Sequence, residues 1–258
     1  MMSKQTMLKL SNSFSWDTTW KNAKSKLTPA LKTIWNTLEK HVDFKEKSYL
    51  EIGCGTGVFG KLALDAGATH VSLLDISKNA IKMCKDYIGN DNRVDYILSD
   101  ATEYRSKKKY DILISNGVIE HFKDDDLSNI LKAHVDNSKD LVVFLAPASP
   151  HFNDIRCKYP WALKLYGPQY PISVKKMNNI LNSLNLEIIC IERFYPLYGI
   201  KLNRLFPFQN KILGLIDSIL IEIKFYDFIT YITNPFGILG GYIIGIGRLK
   251  TNHKEERK

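Results

Sequence analysis

Cysteine is scarce in this chain of 258 residues: only Cys54, Cys84, Cys157 and Cys190. No two stand in C-x-x-C spacing, and none has a histidine at zinc-ligand spacing along the sequence, so no metal site is expected. Cys54 sits inside a glycine turn and Cys190 inside an apolar run, which reads as two buried thiols in a reduced, cytoplasmic protein. Long uncharged apolar runs are missing as well. None reaches the roughly 18 residues of a membrane-spanning helix, and the start, MMSKQTMLKL, lacks the apolar core of a signal peptide. Internal repeats and low-complexity segments are absent. Acid is the minority charge, 27 Asp+Glu against 36 Lys+Arg, for a net +9. Such a balance permits an acidic partner such as nucleic acid, anionic lipid or a phosphorylated substrate. The basic residues are spread out, however, with patches near 21–32, 107–109 and after Arg248, and read as solvated lysine. Hydrophobic content of 45% and charge of 24% are those of an ordinary globular protein, and the length suits one α/β domain with additions.

What is present is concentrated in residues 49–77, YLEIGCGTGVFGKLALDAGATHVSLLDIS. An apolar run of Tyr49, Leu50 and Ile52, interrupted by Glu51, predicts a strand. The glycines Gly53, Gly55, Gly57 and Gly60 follow, then a helical pattern over 58–66 that stops at Gly67. A second apolar run over 71–74 ends on Asp75. Strand, glycine turn, helix, strand and acid make one βαβ unit with its ligand site at the strand tips. Glycine suits such a turn because the backbone takes conformations, and allows approaches, that a Cβ blocks. The helix that begins beside it offers free N–H groups to an electron-rich ligand group.

Gly55, Gly57 and Gly60 alone match G-x-G-x-x-G, which leaves an NAD(P)-binding oxidoreductase or a degenerate, non-catalytic fold open. Two acids go further. Glu51 stands where a dinucleotide fold continues its apolar strand, and Asp100 ends a third apolar run over 94–99. The order E-x-G-x-G-x-G, then Asp75, then Asp100 resembles the class I S-adenosylmethionine-dependent methyltransferases, strongly over residues 45–150 and in layout beyond. The resemblance implies an α/β, Rossmann-like, doubly wound fold: a mostly parallel seven-stranded sheet with an antiparallel last strand. It also implies an N-terminal helical cap over 1–45, ahead of a methyltransferase domain over 46–258 with a helical insert at 195–239. With it comes S-adenosylmethionine as cofactor. Glu51 with Gly53, Cys54, Gly55 and Gly57 would hold the methionine end, Asp75 the ribose hydroxyls, and Ile76 would pack on the base. Asp100 and the Ala101 backbone would meet adenine, and Asn116 with Gly117 would line the sulfonium.

In chain order, Trp16, Trp20, Leu27, Leu31, Ile34, Trp35 and Leu38 recur at helical intervals, split by Pro29. They fit either a lid over the cofactor or a helix packed on the sheet face. A fourth strand over 110–115 exits through Asn116-Gly117-Val118-Ile119-Glu120-His121, which resembles the family's Glu-His signature. His121 is the candidate general base for a hydroxyl acceptor, against the alternative that it holds its loop; His151 and Tyr159 are weaker candidates. Asp124, Asp125 and Asp126 read as the cap and first-turn charge of a helix over 127–135, not as a metal site. A fifth strand is expected over 141–145, a long aromatic loop over 148–172, a helix capped by Ser173, a strand over 186–194 and a last strand over 240–249. The insert at 195–239 is apolar nearly all round and needs cover, from the substrate side or a second subunit ahead of a membrane surface.

Absent motifs narrow the acceptor. No [DN]-P-P-[YF] or Pro-Cys follows strand four, against nucleic-acid amino-group or pyrimidine-carbon methylation, so a nucleic-acid partner is disfavoured. The two-glutamate loop of arginine methylation and the acid pair of magnesium-dependent catechol-type enzymes are also missing. The expectation is methyl transfer to a small-molecule acceptor, at oxygen: a sugar, a quinone precursor or a lipid-linked substrate.

Overall fold

The structure, a computed structural model, describes residues 14–151, 153–194 and 240–250, with backbone alone for Ile155, Arg156 and Trp161. Two helices come first. The short α1 spans Trp16–Trp20, and α2 spans Pro29–Glu39. Thr28 accepts a hydrogen bond from the Leu31 N–H, and Pro29 takes the first turn, where its missing N–H and fixed φ are no handicap.

The strand-helix alternation then runs β1 (Ser48–Ile52), α3 (Val58–Asp65), β2 (His70–Asp75), α4 (Lys78–Ile88), β3 (Val94–Leu98) and β4 (Tyr110–Asn116). A 3-10 turn at Ile119–His121 leads to α5 (Asp124–Asn137) and β5 (Ser138–Ser149). The chain continues through α6 (Asn153–Arg156), α7 (Pro160–Tyr166), β6 (Ile172–Ser173), α8 (Val174–Ser183), β7 (Leu186–Phe194) and β8 (Tyr242–Leu249). The main sheet is ordered β3-β2-β1-β4-β5-β8-β7, with the two-residue β6 paired to β5 alongside. β8 lies antiparallel to both β5 and β7, while β1 to β5 pair in parallel. That order departs from the 3-2-1-4-5-6 arrangement of the dinucleotide-binding fold.

Parallel strands covered on both faces are apolar nearly throughout. On one face Tyr49, Val71, Leu73, Ile112, Ile114, Val143 and Leu145 pack with Trp35 and Leu38 of α2 and Phe59 of α3. On the other, Leu50, Ile52 and Leu113 pack on Ile130 of α5, and Val142 and Phe144 share a cluster with Met177 and Leu181 of α8. The core thus holds β1, β2 and β4 rigid and leaves their carboxyl ends to carry loops.

Several expectations are corrected. The 148–172 stretch is not one long loop: Pro160, with its φ already set, starts α7, Gly167 ends it, and Ala148 pairs with Ile172 to add β6. Lys123, not an aspartate, occupies the N-cap of α5, and Asp124, Asp125 and Asp126 fill its first turn. Cys190 is only partly buried, because β7 borders the sheet. The N-terminal segment divides: α2 packs on the sheet face and α1 crosses the strand tips. The apolar insert at 195–239, with its expected membrane or dimer contact, lies outside the described residues. Among the described residues no helix is long and apolar enough to cross a membrane.

Candidate functional site

Three glycines turn the chain out of β1 through the left-handed region, Gly53 at φ +70°, Gly55 at +49° and Gly57 at +70°. Space forbids a side chain as firmly as φ does. A Cβ on Gly53 would stand 2.5 Å from Val118 beyond β4, and one on Gly55 would stand 2.9 Å from the Trp20 ring. The turn is stitched to its neighbours by main chain. The N–H groups of Gly53 and Cys54 donate to the Leu74 carbonyl at 2.8 and 3.0 Å, and that of Ser99 donates to Asp75 at 3.1 Å. The tips of β1, β2 and β3 therefore sit side by side, with β4 against Gly53.

Asp75 is the fastener. One carboxylate oxygen accepts from the Gly55 N–H and the other from the Ser77 N–H, each at 2.9 Å. Burial pushes this carboxyl up, and the N–H groups of Ser77 and Gly55 pull it back. Each oxygen keeps a second lone pair for a ligand hydroxyl. Glu51, two residues before the turn, is 3% exposed, and its Oε2 has no hydrogen-bond partner among the described residues. Burial pushes its carboxyl up to about 8; the Asp75 charge adds to this, while the Tyr49 hydroxyl and Gly60 backbone oppose it. A cationic group beside such a carboxyl would favour its ionised form.

The remaining expected residues surround this pair. Ile76 is 55% exposed beside Asp75, an apolar side chain left uncovered at a strand tip. Asp100 accepts from the N–H and hydroxyl of Thr102 at 2.8 and 2.7 Å, which fixes the loop after β3, and Ala101 packs against the Leu50 cluster. Asn116 accepts from the Tyr242 hydroxyl at 2.5 Å, and Gly117, at φ +75°, donates to the Leu145 carbonyl at 2.8 Å. The Cys54 side chain turns into the core, its sulfur 3.6 Å from that of Cys84, so only its backbone belongs to the turn.

His121 Nδ1 donates to the Pro168 carbonyl at 2.8 Å, and its ring meets Trp16 edge-on at 4.8 Å. In the neutral ring the lone pair then lies on Nε2, 3.8 Å from Glu120. His151 and Tyr159 lie beyond β5, where the His151 N–H donates to Asp154 at 2.8 Å and Tyr159 is exposed.

Sequence reasoning missed two participants, Asp17 and Tyr242, while Trp20 was already a candidate for a lid. Asp17 of α1 accepts from the Ser77 hydroxyl at 2.8 Å and the Asn79 N–H at 3.0 Å, which hold its carboxyl below the usual range. Trp20 covers Gly55, and Tyr242 reaches Asn116 from β8. Nothing in the local sequence around Asp17 or Tyr242 signals contacts to residues so far along the chain. Trp16 and Trp20 did carry a signal, an aromatic pair in a polar segment.

Comparison with known proteins agrees with this geometry. Residues 50–140 match the family described as a methyltransferase domain. A malonyl-[acyl-carrier protein] O-methyltransferase of Acetivibrio thermocellus is 30% identical over 66% of this chain and 60% of its own. A second such protein, from Ilyobacter polytropus, is 40% identical over 28% of each chain. The chain thus spans between 28% and 60% of the length of these relatives. Among solved structures, the N-methyltransferase NodS of Bradyrhizobium japonicum, in complex with S-adenosyl-L-homocysteine, superposes with a TM-score of 0.59 at 11% identity, over 93% of this chain and 97% of its own. The chain thus carries a methyltransferase domain at residues 50–140, set in a Rossmann-like sheet of the order described above.

Proposed function

We propose that this protein binds S-adenosylmethionine at the strand tips and transfers its methyl group to an oxygen of a small acceptor. The observation that carries the reading is the meeting of the Gly53-to-Gly57 turn, buried Glu51 and doubly anchored Asp75 under α1. The residues present fit the cofactor. Glu51, with an oxygen short of a partner, suits a cationic amino-acid tail, and the open turn suits close backbone approach. Asp75 suits vicinal hydroxyls, exposed Ile76 an aromatic base, and the fixed Asp100 loop its polar edge. When bound, the cofactor supplies an electrophilic methyl on a sulfonium.

The protein's part is then alignment, which accounts for much of the barrier reduction in a direct displacement. Asn116, gripped by Tyr242, and Gly117 set the floor beside the reacting methyl. α1 roofs the turn and excludes water. His121, with its lone pair on Nε2, is the base assigned to an acceptor hydroxyl; the Pro168 and Trp16 contacts orient the ring. Acceptance at oxygen is supported by the O-methyltransferases among the relatives, which include five of malonyl-carrier type and two of ubiquinone biosynthesis. Their named substrates include both acyl-carrier and quinone-type molecules, which suits an acceptor with a hydrophobic or carrier-linked portion.

Thermal-shift titration tests the cofactor: S-adenosylhomocysteine should raise the melting temperature and NADH should leave it unchanged. Transfer of labelled methyl to carboxyl-bearing acyl thioesters and to hydroxylated quinone precursors tests the acceptor. Label on an amine and none on oxygen would overturn the oxygen assignment.

A further inference from the structure

Outside the strand-tip site, three donor side chains converge at the border of the sheet. Cys190 and Glu192 stand two residues apart on β7 and so project from the same face. The register slips between Ile188 and Cys190, a bulge of the kind that re-aims side chains along an edge strand. His41 follows the end of α2, its backbone N–H donating to Leu38 at 3.0 Å. Its Nε2 lies 3.0 Å from Glu192 Oε2 and 3.7 Å from the Cys190 sulfur. All three donor atoms fall within 4.8 Å of one another.

The geometry points to a binding site for a borderline-soft divalent cation of the zinc type, held by His41 Nε2, Cys190 Sγ and one Glu192 oxygen. Bond lengths of about 2.0–2.3 Å to nitrogen, oxygen and sulfur in a tetrahedral site put neighbouring donors about 3.3–3.6 Å apart. The two spacings from His41 differ from that by a few tenths of an ångström, and the thiol and carboxylate lie within 4.8 Å of each other, a gap that side-chain rotation closes. A plain imidazole-carboxylate pair explains two of the three donors and leaves the thiol against the same nitrogen unexplained. The thiolate and imidazole select zinc or cobalt over magnesium or calcium, which take oxygen ligands. The His41 and Glu192 side chains are 26% and 16% exposed, which leaves an ion a path in from solvent. Ligation releases the Cys190 proton to solvent, so affinity rises with pH. The ion would cross-link α2 to the border strand, joining positions 149 residues apart in sequence.

The full chain, freed of metal by a chelator and exchanged into clean buffer, is titrated with cobalt chloride. One equivalent should bind, with a thiolate-to-cobalt charge-transfer band in the near ultraviolet and the visible bands of four-coordinate cobalt. Zinc should displace it and raise the melting temperature by about 5–10 °C at a hundredfold excess over Kd. Cys190→Ser should abolish the charge-transfer band, Cys157→Ser should retain it, and His41→Gln and Glu192→Gln should each weaken cobalt binding at least about tenfold. No charge-transfer band at large cobalt excess, or a band that survives Cys190→Ser, overturns the site. If Cys190→Ser fails to fold, unchanged cobalt affinity in both His41→Gln and Glu192→Gln overturns it equally.

Discussion

Glu51 carries the sharpest consequence at the scale of single residues. Held near 8 by burial, it is protonated at neutral pH in the ligand-free protein, and a bound cation favours its ionised form. Cofactor binding at pH 7 should therefore release a proton. Calorimetric enthalpies measured in buffers of different ionisation heat should differ by about one proton's worth, and affinity should rise with pH and level off past 8. Glu51→Gln should erase both effects; buffer-independent heats in the native protein would refute the assignment. Asp75 behaves differently because it fastens two loop tips. Asp75→Asn keeps one acceptor and loses the other, which should lower stability by about 1–3 kcal/mol in chemical denaturation. Cofactor affinity should fall in parallel. The two roles cannot be separated by removing the side chain, a point that spacing in the sequence does not reveal.

Among the elements, α1 decides access. Its contacts include Asp17 on Ser77 and Asn79, Trp16 on His121, Trp20 over Gly55, and the Thr19 hydroxyl on the Leu165 carbonyl at 3.1 Å. None of its residues is buried. A helix so short, held by a few partly wet contacts, opens at low free energy relative to the core. Trp20→Ala should weaken S-adenosylhomocysteine binding by about tenfold or more while moving the denaturation midpoint little. A large loss of stability with unchanged affinity would make α1 part of the core instead of a cover. The Thr28 cap is seen only in the structure, while the sequence marked α2 through apolar spacing and the break at Pro29. For α1 it offered two tryptophans without choosing between lid and packed helix, because both share the same apolar spacing and differ only in what lies beneath.

For the whole molecule, two buried groups shape the pH dependence of folding from opposite sides. Glu51 is raised from 4.5 to about 8, so its contribution is fully present below 4.5 and lost as pH rises through 8. His134 is lowered from 6.5 to about 4 by burial, so its contribution is present above 6.5 and lost as pH falls through 4. Ligand-free melting temperatures should be flat near pH 5–6.5 and fall on the alkaline side. Glu51→Gln should flatten the alkaline limb; an unchanged limb would mean that Glu51 ionises freely.

The glycine turn, the acid at the end of β2 and the alternation of strands and helices were all determined by the sequence alone. Each is local: a positive φ, a cap or an apolar period is written in neighbouring residues. Tertiary structure alone decided that Asp17 anchors on Ser77, that Tyr242 grips Asn116, and that His41 meets Cys190 and Glu192. Those pairings join residues dozens to more than a hundred positions apart, and only the packing of helices on a twisted sheet fixes which distant side chains share a few ångströms.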